Sequence, residues 1–186
     1  MITKVYITHS EEDEPLAREL ADALWRVGLE SFVAIYRRAR GVAPGDRVKF
    51  AIRHSDCVIA LLTLDGVVSP GVNQEIGFAS GIDQLVIPLL ETGAEMPVLI
   101  RHLKPISFSR ETYSDALGEV ILNIRDLTSL EWLKIKCPLC GEEMTQYLPP
   151  QEVVKRAVLS GTGLETICSY CETPLTLDPR TFKPVP

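Results

Sequence analysis

Cys137 and Cys140, followed by Cys168 and Cys171, form two C-x-x-C pairs separated by residues 141–167. Two intervening residues let both sulfurs of a pair turn toward one ion, and two such pairs close a tetrahedron of thiolates. The spacing therefore predicts a structural zinc site. Four protein ligands leave no open position for a substrate, so no reaction is expected at the ion. Two disulfides are the alternative use of the same thiols. The opening MITKVYITHS lacks the apolar stretch and small-residue cleavage site of a secretion signal, so the expected compartment is the reducing cytoplasm, which favours metal. The fifth cysteine, Cys57, lies in the apolar run DCVIALL, where a lone thiol serves as a small hydrophobe.

One acid stands out beside the cysteines. SPGVNQEIGFASGI, residues 69–82, starts as a helix, with Ser69 as N-cap and Pro70 where a missing N–H costs nothing. With Val72, Ile76 and Ala79 facing a sheet, Glu75 falls beside that stripe in the first half of the helix. It is then either a solvated glutamate favoured by the helix dipole or a carboxylate at the rim where parallel strands end and ligands bind.

The elements that would position these residues alternate along the chain. ITKVYIT reads as a strand, and Leu16, Leu20, Ala23, Leu24 and Val27 recur at helical spacing before a capping Gly28. LESFVAI is a second strand, YRRARGVAPGD a long loop, and RVKFAIRHS a helix with Val48, Ala51 and Ile52 on one face. DCVIALLTL and QLVIPLL are unbroken apolar runs, as expected of parallel strands covered on both faces; KPISF is a shorter strand and YSDALGEVILNIRDL a closing helix. The expected fold is α/β, an open parallel sheet with helices on both faces, over residues 1–130. Residues 131–186 form a second, zinc-ribbon-like unit around a short helix, PQEVVKRAVLSG, with RTFKPVP as a frayed tail. A net charge of −6 gives no footprint for binding nucleic acid, YRRAR being the local exception, and no run is long enough to span a membrane. The ribbon carries no basic run interleaved with aromatics, so its expected role is a protein contact or a buttress.

Residues 4 to about 130 resemble a TIR (Toll/interleukin-1 receptor) domain. VYITHSEED matches the first strand and its Ser-containing turn, GVAPGD the loop before the second helix, and AIRHSDCVIALLT the segment into the third strand; SPGVNQEIG and LVIPLL match the glutamate helix and the fourth strand. The resemblance implies a flavodoxin-like sheet and self-association into oligomers. Many such domains cleave NAD+ to nicotinamide and ADP-ribose or a cyclic isomer, in signalling or defence, while others only assemble. The family's catalytic glutamate falls on Glu75. His9 and Ser10 would contact ribose or phosphate, and Tyr36, Arg37 and Arg38 would stack on a base and offset diphosphate charge. The alternative for these loop residues is solvated surface. Gly71 departs from the pattern, since active members often carry Trp there, and the YRRARGVAPGD loop is longer than usual. A second resemblance, over LDG, Glu75, Gly77, Ala79 and the strand through Pro88, is to nucleoside 2-deoxyribosyltransferases, whose carboxylate attacks the anomeric carbon.

Overall fold

The computed structural model describes residues 2–33, 44–128, 132–147 and 149–185. Five strands, β1 (Lys4–Thr8), β2 (Glu30–Val33), β3 (Cys57–Leu62), β4 (Leu85–Glu91) and β5 (Ile106–Phe108), pair in the order β2-β1-β3-β4-β5. All four pairings are parallel. The helices are α1 (Glu14–Arg26), α2 (Pro44–Arg53), a short α3 (Leu64–Val68), α4 (Pro70–Gly81) and α5 (Tyr113–Thr128). Every residue of β3 is buried, and its side chains divide by parity. Cys57, Ile59 and Leu61 pack with α1 and α5 on one face; Val58, Ala60 and Leu62 pack with α2 and α4 on the other. The missing alternation in DCVIALL thus follows from cover on both faces. Leu20, Ala23, Leu24 and Val27 are all buried, and Gly28 turns at φ +77°, a conformation a Cβ would disfavour.

Asp56 ties the lower ends of β1 and β3 together. Its Oδ2 accepts from the Thr3 N–H at 2.6 Å, the Lys4 N–H at 2.9 Å and the Thr3 hydroxyl at 3.0 Å. Desolvation pushes the Asp56 carboxyl up, but the donors of Thr3 and Lys4 outweigh it and hold the group below the ordinary range. A depressed folded-state value gives stability that is complete above the unfolded carboxyl value and lost as pH falls through the folded one. Asp56 is exposed and solvent screens these bonds, so Asp56→Ala is expected to lower stability by no more than about 1 kcal/mol at pH 7. In denaturant titrations, that gap from the parent should close between about pH 5 and pH 2.

Beyond α5 come two β-hairpins. β6 (Trp132–Lys136) pairs antiparallel with β7 (Glu143–Tyr147); after α6 (Gln151–Ser160), β8 (Leu164–Ile167) pairs antiparallel with β9 (Pro174–Leu177). A final β10 (Pro184–Val185) pairs with β9 and Phe182 is 1% exposed, so the tail is not frayed. An aromatic anchor and a short ladder hold it, neither of which RTFKPVP announces. The apolar core on the α1/α5 face runs unbroken into this unit, through Ile135, Met144, Val154, Leu164, Leu175 and Phe182. No helix among the described residues is long and apolar enough to cross a membrane.

Candidate functional site

A polar network lies at the carboxyl ends of the strands. Ser10, just beyond β1, donates from its hydroxyl to Asp13 Oδ2 at 2.5 Å, and Thr63, just beyond β3, donates to the same oxygen. Thr63 also accepts from the Gly66 N–H at 2.8 Å, capping α3. Glu91, the last residue of β4, accepts from the Leu64 N–H at 3.0 Å and from Arg110 Nε at 2.6 Å. Arg110 Nη2 lies 3.4 Å from Glu91 Oε2 and 3.5 Å from Asp13 Oδ1. One half-exposed guanidinium thus answers two buried carboxylates, one from the segment after β1 and one from the end of β4. Removing it would take away the cation that both acids share, leaving Asp13 to the Ser10 and Thr63 hydroxyls and Glu91 to the Leu64 N–H. Loss of a fully buried partner costs roughly 3–5 kcal/mol, and allowing for the exposure of Arg110, Arg110→Met should cost about 2–4 kcal/mol in urea unfolding.

Glu75 lies across the sheet on α4. Ser69 accepts from the Val72 N–H at 3.5 Å, and the Asn73 side-chain amide donates to the Val67 and Ser69 carbonyls at 2.8 and 2.9 Å, so the helix start is fixed. Val72, Ile76 and Ala79 are fully buried against the sheet, as their spacing predicts. Glu75 is only 5% exposed, so it is not a solvated surface glutamate. α4 packs on β1, β3 and β4. Thr8, the last residue of β1, is fully buried opposite Ala60 and thus shares the α4 face by strand parity. His9 and Ser10 follow it, 1% and 2% exposed, with His9 Nδ1 2.5 Å from the Ser10 carbonyl oxygen. The Ser10 hydroxyl is engaged by Asp13 at the start of α1, on the opposite face from α4. Tyr36, Arg37 and Arg38 lie outside the described residues.

Asp13, Thr63, Glu91 and Arg110 had no place in the expected site. The Ser10-x-x-Asp13 spacing ahead of a helix was one available sign. Arg110 carried none, because it joins residues 19 and 97 positions away.

The four paired cysteines converge. All their sulfurs lie within 4.8 Å of one another, with Cys137–Cys171 and Cys140–Cys168 both at 3.8 Å. A tetrahedron with metal–sulfur bonds of ~2.3 Å has edges of about 3.8 Å, whereas a disulfide would need ~2.05 Å. Each pair sits at the tip of a hairpin with the same backbone bonds: Gly141 N–H to Cys137 O at 3.0 Å in one, Glu172 N–H to Cys168 O at 2.9 Å in the other. The N–H groups of Cys140 and Leu139 favour the Cys137 thiolate, and the Thr173 hydroxyl and N–H bring Cys171 down to about 6. Cys140 goes the other way, to about 12; the Glu142 N–H favours its thiolate, but desolvation and the other sulfurs oppose it. Sulfurs this close cannot all ionise without a cation. The donor set therefore fits a metal ion, which the four cysteines could hold.

A family model described as "TIR domain" matches residues 5–121. No curated protein matches the chain by sequence. Among solved structures, the chain is similar to the TIR domain of the Toll-related receptor TRR-2 from Hydra magnipapillata, at 20% identity and a TM-score of 0.55, over 67% of this chain and 99% of that one. That likeness is one of fold. Looser matches are the Clostridium botulinum CMP N-glycosidase BcmB, at 23% identity and a TM-score of 0.44 over 59% of this chain and 93% of that one, and the TIR domains of the activated Roq1 resistosome recognising the effector XopQ. The latter aligns at 16% identity and a TM-score of 0.43, over 68% of this chain and 75% of that one.

Proposed function

Because the chain belongs to the TIR-domain family, we propose that its α/β unit binds NAD+ or a related nucleotide and hydrolyses the nicotinamide N-glycosidic bond through Glu75. The observation that carries this reading is the burial of Glu75, 5% exposed on a helix that packs against the central strands. In a buried, low-dielectric setting an anion acts on a nearby positive charge more strongly than it would in water, which suits Glu75 to a cationic transition state. Breaking the bond between ribose and nicotinamide builds oxocarbenium character on the sugar, which the Glu75 anion would stabilise. Nicotinamide departs as a neutral ring from a cationic precursor, so no general acid is needed. Water then adds to the anomeric carbon, giving ADP-ribose and releasing a proton. In the same proposal His9 and Ser10 border the ribose, Tyr36, Arg37 and Arg38 meet the base and diphosphate, and a structural zinc holds Cys137, Cys140, Cys168 and Cys171. A reducing, cytoplasmic setting suits four thiols kept for metal.

Gly71 favours a second reading, a noncatalytic assembly module that self-associates through the TIR domain, with the four-cysteine unit for docking. Incubation of the concentrated protein with NAD+, with and without a crowding agent, followed by chromatography for nicotinamide and ADP-ribose, separates the two. Product that disappears in Glu75→Gln supports hydrolysis. Absence of both product and NAD+ binding leaves the assembly module.

A further inference from the structure

α5 presents two stripes. Tyr113, Leu117, Val120 and Ile124 are buried in the core shared with the sheet, whereas Asp115, Gly118, Leu122 and Arg125, at spacings of three, four and three, lie on another side. Residues of this second stripe meet the four-cysteine unit. Arg180 Nη1 pairs with Asp115, and Arg125 Nη2 donates to the Pro149 carbonyl at 2.5 Å. A Cβ added at Gly118 would stand 2.8 Å from Arg180 Cα and 2.9 Å from its Cβ, so this helix glycine admits the Arg180 backbone at a distance no other residue allows. Arg180 is itself preset, since its N–H donates to Asp178 Oδ1 at 2.8 Å and its Nε lies 3.5 Å from the same oxygen.

The Asp115 contact falls near the rim. Arg110 precedes α5 by only three residues, and the turn between them is stiff: the Ser109 N–H donates to Thr112 Oγ1 at 2.9 Å, and the Asp115 and Ala116 N–H groups donate to the Thr112 carbonyl at 3.0 and 3.2 Å. The Tyr113 hydroxyl donates to the Leu16 carbonyl at 2.8 Å, tying this end of α5 to α1. A displacement of the first turn of α5 therefore has no slack in which to dissipate before it reaches Arg110.

We propose that Arg180 is a positioning residue: by seating on Gly118 and pairing with Asp115, it makes the four-cysteine unit a brace on the first turn of α5 that holds Arg110 in its network with Glu91 and Asp13. A plain buttress would stabilise α5 wherever it touched. This brace acts at the end that carries the rim, and it makes the order of the rim depend on the integrity of the four-cysteine unit. The inference goes beyond the proposed hydrolysis and does not rest on Glu75.

The Leu64 amide, which donates to Glu91, is the reporter, read by native-state hydrogen exchange on the whole 186-residue chain loaded with zinc. Arg180→Met keeps the aliphatic stem and removes the charge; it is expected to speed Leu64 exchange about tenfold. Gly118→Ala should do the same, although alanine strengthens the helix itself. Arg180→Lys, which keeps the charge, should stay within about threefold of the parental rate. Zinc removal by a chelator should speed Leu64 exchange at least as much as Arg180→Met does. Unchanged Leu64 exchange in Arg180→Met or Gly118→Ala, exchange in Arg180→Lys as fast as in Arg180→Met, or an unchanged rate after residues 132–185 have unfolded would each overturn the proposal.

Discussion

Glu75→Gln is expected to lower nicotinamide release from NAD+ by about a thousandfold without weakening the fold. The size follows from charge. A carboxylate about 4 Å from a developing unit positive charge contributes on the order of 4 kcal/mol at an effective dielectric near 20, and each 1.36 kcal/mol is a factor of ten in rate. Glutamine keeps the shape and one acceptor but loses the anion, so ground-state binding of NAD+ should change far less than turnover: kcat falls while KM moves by no more than a few-fold. Stability gives an independent reading. A carboxylate buried for chemistry is a burden on the folded state, so its neutral isostere should leave Tm level or raise it. A carboxylate buried as part of the architecture would show the reverse, a Tm lower by several degrees with no rate to lose. Turnover retained in Glu75→Gln would remove Glu75 from the mechanism, even if the protein proves to be a hydrolase.

The sheet was legible because local patterns report burial directly. DCVIALL and QLVIPLL had to be covered on both faces, and Ser69, Pro70 and the Val72, Ile76, Ala79 stripe set the start and facing of α4 from within one short segment. The cysteine cluster was legible for the same reason, since a C-x-x-C knuckle is a local object and two of them seek one ion. Contacts between distant residues were not legible. Arg110 meets Asp13 across most of the α/β unit, and nothing in RETYSD announces it. Nor does the sequence show that the two knuckle hairpins are one motif used twice, Met144 and Leu175 each burying a side chain seven residues after the first cysteine of its pair. The strand residues around them differ too much for the repeat to register. Gly118 was the overlooked local clue: a glycine inside an amphipathic helix costs stability, and close backbone approach is a common reason to keep one.

Cys137→Ser should release the metal and unfold residues 132–185 while the parallel sheet stays folded. Elemental analysis of the parent is expected to give about one zinc per chain, and thiol titration after chelation five free thiols and no disulfide. The loss is large because metal binding in so small a unit is coupled to its folding; apparent binding free energies of structural zinc run to roughly 10–16 kcal/mol, against a core that a segment of this size can scarcely stabilise alone. Cys137 and Cys168 are 1% and 0% exposed and belong to the apolar core against which Leu122, on the stripe of α5 that meets this unit, also packs. Unfolding should therefore uncover one side of α5 and raise binding of a hydrophobic dye. The other face of the sheet is independent of this. Among the described residues, its core, from Tyr6 and Ile52 through Val72, Ile76 and Ile100, contains none beyond the α/β unit, and neither does the five-stranded ladder. Limited proteolysis should accordingly cut near residue 130 and leave a resistant fragment ending there. Two outcomes would refute the picture: a parent without zinc whose thiols are paired as disulfides, or a Cys137→Ser chain in which the α/β unit melts together with the four-cysteine unit in a single transition.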